Sequence, residues 1–100
     1  PDYRGAVTDV VATTMKLSTT RIKADLAAQP DSTLMNLAKP LGFAQDALAA
    51  SIRSALSAAT AAQVRSGTWT PSQAAQLTTF WTAQTDPSLI TRISQWFREQ

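Results

Sequence analysis

AQDALAASIRSALSAATAAQVRSGTWTPSQA, residues 44–74, decides the fold. Leu48, Ile52, Leu56 and Ala59 recur along it at steps of three and four, the period of a helix that buries one face. Ala49, Ala55 and Ala62 flank that stripe with side chains small enough for a neighbouring helix to come close. The spacing predicts a long helix over 44–66. Gly67 stands where a left-handed C-terminal cap is wanted, and Arg65 before it suits the negative end of the helix dipole. Thr70-Pro71-Ser72-Gln73 then opens the next helix as a capping box. The Thr hydroxyl accepts a backbone N–H, the Gln side chain reaches back, and Pro occupies the first helical position.

Outward from this stretch the same signals recur. Toward the C-terminus a helix is expected over 71–84, and Asp86-Pro87 repeats the start signal, its carboxylate at the positive end of a last helix. Leu89, Ile90, Ile93, Trp96 and Phe97 form one face of that helix, which runs to the chain's end with Arg98 in its last turn. Toward the N-terminus, Val7, Val10, Val11 and Met15 predict a helix over 6–16. Ser18 caps a shorter one over 19–29, where Ile22 and Leu26 face inward and Pro30 ends the run. Asp31 and Ser32 offer the next cap, for a helix whose stripe is Leu34, Leu37, Ala38 and Leu41 and which stops at Gly42. Pro40 removes a backbone N–H and crowds the carbonyl four residues back, so a kink or an end is expected near Lys39. No segment alternates as a strand would. The expected fold is all-α: a single-domain helical bundle or orthogonal array of five to six helices over 1–100, with 44–66 as its central strut.

Composition agrees with one domain. The 100 residues include 26 large apolar side chains and 18 Ala. A domain of this size hides roughly 60–65% of its unfolded surface, so most of those 26 should meet in one cluster. Nine Lys+Arg against seven Asp+Glu, spread singly, is not by itself a nucleic-acid signature. The absence of Cys excludes a disulfide framework and thiolate chemistry. The Ala-rich run over 44–64 carries Asp46, Arg53 and four hydroxyls, which disfavours membrane insertion. No charged n-region with an apolar core follows Pro1, so no signal peptide is expected in these residues. A polar surface built from Thr, Ser, Gln and Ala points to an extracytoplasmic or secreted home.

Over about residues 14–93 the order of elements resembles alanine-rich helical modules of exported, uncharacterised bacterial proteins. The matching stretches are Lys16-Leu17-Ser18, then Ser32-Thr33-Leu34 through Ala38 to Gly42, and then Gly67-Thr68-Trp69-Thr70-Pro71-Ser72-Gln73-Ala74. The last, a G-x-[L/W]-T-x-x-Q-A pattern after a long Ala-rich helix, is the most specific. Two positions depart from the pattern. Ala44 replaces a capping Ser, which weakens the helix start by about 1 kcal/mol unless Asp46 compensates. Trp69 replaces a Leu, which lets the turn pack more surface. The resemblance implies a helical fold and an exported protein, and it carries no catalytic residues to transfer.

Chemistry is sparse. With no His, neutral-pH acid–base catalysis lacks its commonest agent and metal sites their commonest ligand. Of the acids, Asp31, Asp46 and Asp86 have capping or dipole roles, Asp2 and Glu99 are terminal, and Asp9 and Asp25 are isolated. No catalytic site, cofactor or metal is expected. Ala38, Gly42, Leu48 and Ile52 fall at offsets resembling a helix-turn-helix, but the would-be reading helix has only Arg53 as a cation before Arg65 at its far end, and Asp46 would repel phosphate. Nucleic-acid binding is therefore the runner-up, and a small apolar ligand held between Ala-lined helices a third reading. The aromatic C-terminal third leads instead to protein interaction. Adjacent helical residues lie about 100° apart, so Phe80 and Trp81 cannot both face inward, nor can Trp96 and Phe97. Trp69, Trp81 and Trp96 are the candidate contacts of a non-enzymatic structural or interaction module whose partner is another protein or a second copy.

Overall fold

The computed structural model describes residues 1–100 and is all-α, with six helices and no strand. They are α1 (Tyr3–Met15), α2 (Thr19–Ala28), α3 (Leu34–Ala38), α4 (Gln45–Arg65), α5 (Pro71–Ala83) and α6 (Asp86–Arg98), with a 3₁₀ turn, Lys39–Leu41, after α3.

Caps decide where each helix begins. Asp2, expected only as a terminal residue, caps α1 by accepting the Gly5 N–H at 2.9 Å, so the helix starts three residues earlier than its apolar spacing suggests. Ser18 caps α2 through the Arg21 N–H at 3.0 Å. Thr70 and Gln73 form the expected reciprocal capping box on α5, at 3.2 and 2.9 Å. Two starts differ from expectation. The cap of α3 is Thr33, boxed with Asn36, not Asp31 or Ser32; the Ser32 hydroxyl donates to the Gln29 carbonyl at 2.7 Å instead. Thr85 rather than Asp86 caps α6, which places Asp86 inside the first turn.

Three turns share one reversal pattern, in which a left-handed residue lets two successive N–H groups return to the last helical carbonyls. After α4, Gly67 (φ 77°) and Thr68 donate to Val64 and Gln63, both at 3.0 Å. After the 3₁₀ turn, Gly42 (φ 91°) and Phe43 donate to Lys39 and Ala38. After α1, Lys16 and Leu17 donate to Thr13 and Ala12, and Lys16 is the only non-glycine residue with positive φ, at 58°. The expected break at Pro40 is the change from α to 3₁₀ winding. That change turns Leu41 by about 120° per residue instead of 100°, so Leu41 leaves the Leu34–Ala38 stripe and stands half exposed.

Val7, Val11, Met15, Ile22, Leu26, Leu34, Leu48, Ile52, Leu56, Leu77, Trp81, Leu89, Ile90, Ile93 and Phe97 belong to one continuous core. α4 packs on α1, α5 and α6, as a central strut should. Its buried stripe ends on Thr60 rather than Ala59, with the Thr hydroxyl donating to the Ser57 carbonyl at 3.0 Å. Arg53 leaves α4 to join the α5–α6 corner, donating to Asp86 at 2.7 Å and to the Gln84 carbonyl at 2.8 Å. Arg98 serves the end of α2 rather than its own helix, donating to the carbonyls of Gln29 and Ser32. Arg4 pairs with Glu99 across the chain's two ends.

Two substitutions test this account of the turns and caps in urea unfolding. Lys16→Gly should raise stability by about 1 kcal/mol by relieving the left-handed side chain. Ala44→Ser should add about 1 kcal/mol, because Ala44 has the extended backbone of a cap (φ −80°, ψ 152°) but no side-chain acceptor.

Candidate functional site

The α5 register selects which aromatic ring is kept inside. Ala74, Leu77 and Trp81 follow one another at steps of three and four and are buried, Trp81 to 1% exposure. Phe80, one residue earlier, points about 100° away and is 40% exposed. In α6 the same geometry buries Phe97 and leaves Trp96 half-buried. The expectation that neither adjacent pair could face inward together therefore holds, with Phe80 and Trp96 as the outer members.

The three tryptophans part company here. Trp81 lies in the core and Trp69 is buried to 7%, so neither has appreciable surface to offer a partner. Trp69 faces Tyr3 edge-on at 5.3 Å. Of the expected contacts only Trp96 retains surface. Phe80, which the tryptophan count overlooked, is the more exposed ring. The signal for it was available, since Phe80 sits outside the Ala74–Leu77–Trp81 spacing.

Phe80 and Trp96 belong to one groove of about 260 Å³, lined by Tyr3, Gln76, Leu77, Phe80 and Trp96. α5 makes its main backbone approach to α4, and side chains of α1, α5 and α6 line the groove between them. Trp81, in the core, backs both outer rings, nearly perpendicular to Phe80 (86°) and to Trp96 (81°), with both centroids 5.1 Å away. Such edge-to-face pairs contribute about 0.5–1.5 kcal/mol each beyond burial, which helps hold the outer rings in place. The Trp81 Nε1 proton finds no oxygen or nitrogen acceptor, and the packing must absorb that cost. Two guanidinium groups border the groove: Arg4 lies 5.3 Å from the Trp96 centroid and Arg92 5.5 Å from that of Phe80. Gln76 accepts a long hydrogen bond from the Tyr3 hydroxyl at 3.4 Å.

Elsewhere the polar groups are largely tied into the fold. A larger cleft of about 520 Å³ beside the start of α1 contains Asp2, Asp9, Gln63 and Gln73, but the Asp2 carboxylate is occupied by the Gly5 N–H. Asp25, expected to stand alone, lies 3.6 Å from Arg21, and Glu99 pairs with Arg4. No group of three or more Asp or Glu side chains is placed to hold a metal ion, and no helix is long and apolar enough to cross a membrane. At the would-be helix-turn-helix corner Ala38, Leu48 and Ile52 are buried and Gly42 is left-handed, but α3 makes its main approaches to α2 and α6 rather than to α4, so the expected close crossing is not formed. The outward face of α4 is Ala47, Ala50, Ser51, Ser54, Ser57, Ala58 and Ala61, and its Arg53 is bound to Asp86. Arg65, at the C-terminal end of that face, is its one cation, too few for the phosphate neutralisation that DNA binding requires.

Among known proteins no family model matches this chain, and neither a curated protein nor a solved structure matches it either.

The division between inner and outer rings has a direct consequence for stability. Trp81→Ala should cost about 3–5 kcal/mol in urea unfolding, and Phe80→Ala less than about 1 kcal/mol.

Proposed function

We propose that this chain is a non-enzymatic protein-interaction module of an exported bacterial protein, and that the groove between α1, α5 and α6 is its contact surface. The observation that carries the reading is Phe80, 40% exposed beside a half-buried Trp96 in a chain whose only other well-exposed large apolar residue is Leu41. Leu41 stands in a 3₁₀ turn, in a cleft with Leu17, Leu37 and Pro40 that no aromatic side chain lines. Phe80 and Trp96 instead share a concave site, both backed edge-on by Trp81. Large, conformationally restricted rings lose little entropy on contact, and residues of this kind dominate binding energy at interfaces. The exported setting is supported by the Thr, Ser, Gln and Ala surface and by the resemblance of the 67–74 stretch to modules of exported proteins.

Selection of a random dodecapeptide display library on the immobilised chain tests the proposal. Enriched peptides should bind the wild type at least about tenfold more tightly than Phe80→Ala, a loss of about 1.4 kcal/mol. Failure to enrich any peptide, or enrichment of peptides indifferent to Phe80→Ala, would contradict it.

A further inference from the structure

The groove's lining and rim specify what kind of segment fits it. Its lining has no carboxylate, and each of its two outer rings has a cation beside it, Arg92 over Phe80 and Arg4 over Trp96. The two cations differ. Arg4 is paired with Glu99, whereas Arg92 pairs with no carboxylate and donates through Nε to the neutral Gln84 side chain at 3.0 Å. Arg92 is therefore held over the Phe80 wall by a ring and an amide while its charge remains uncompensated. Its remaining N–H groups are geometrically suited to a carboxylate arriving from outside. A volume of about 260 Å³ is below the usual range of small-molecule pockets, roughly 300–1,000 Å³, and suits one or two bulky side chains of a peptide.

We infer, building on the interaction reading above, that the occupant is an acidic segment of another protein. It would place a bulky apolar side chain between Phe80 and Trp96 and a Glu or Asp side chain on Arg92. A second copy of this chain is the poorer fit. A two-fold contact through the groove would bring the uncompensated Arg92 residues of two net-positive molecules together, and Glu99, the acid on the groove's other cation, is already paired.

Fluorescence anisotropy with two labelled dodecapeptides tests this. Both have the same central Leu-Phe pair, one flanked by Glu on each side and the other by Lys. The Glu peptide should bind at least about tenfold more tightly at low salt, and the difference should shrink as salt shortens the Debye length toward about 8 Å. Arg92→Gln should remove most of the preference, and Phe80→Ala should abolish binding of both peptides. Equal binding of the two peptides, or a preference that survives Arg92→Gln, overturns the acidic specificity while leaving the groove as a contact surface. Binding of neither overturns the interaction reading as well. A concentration-dependent dimer in light scattering that Phe80→Ala dissolves would make the occupant a second copy and likewise overturn the inference.

Discussion

The packing of one face of α4 on three other helices is the interaction on which the rest of the structure depends. Leu48, Ile52 and Leu56 are all but fully buried, and α1, α5 and α6 each meet α4 along its length. Burying a Leu or Ile side chain contributes about 1.5–3 kcal/mol, so these three residues supply much of what organises a chain of this size. The small residues beside them, Ala49 above all, let the neighbours approach without a bulkier side chain intervening. With α4 at the centre, the polar side chains act as clasps at the periphery. Arg53 ties α4 to the α5–α6 corner and Arg98 ties α6 to the end of α2.

The groove follows from this arrangement. Packing Leu77 and Trp81 against the core fixes the rotation of α5, and packing Ile93 and Phe97 fixes that of α6. Once both rotations are set, the residues preceding Trp81 and Phe97 are directed sideways, so Phe80 and Trp96 reach the surface as a by-product of core geometry. What makes the result more than an exposed pair is convergence. The two rings come from different helices, both pack edge-on against Trp81, and each has a guanidinium beside it.

Local chemistry was legible in the sequence, and choices settled by distant partners were not. The Gly67–Gln73 turn and the change of winding at Pro40 depend on backbone rules that act within a few residues, and both form as expected. The start of α3 offers three capable residues in a row. The decision for Thr33 goes with Ser94, whose hydroxyl accepts the Leu34 N–H at 2.8 Å from 60 residues away and donates to the Ile90 carbonyl. The roles of Asp86, Arg98 and Glu99 were equally hidden, since each is completed by a partner on another helix. At the site, helical geometry required one ring of each adjacent pair to face out. Which one did so is fixed by packing on the core, and for α5 the Ala74–Leu77–Trp81 spacing already pointed to Trp81 inside and Phe80 outside; weighing the tryptophans alone passed Phe80 over.

The most direct test of this account is ¹⁹F NMR of the chain labelled with 5-fluorotryptophan, each resonance assigned by Trp→Phe substitution and then exposed to a soluble paramagnetic agent. Burial in the core predicts that Trp81 and Trp69 remain sharp while Trp96 alone broadens strongly. Broadening of Trp81 equal to that of Trp96 would mean that α5 is rotated on α4, and the groove described here would not exist.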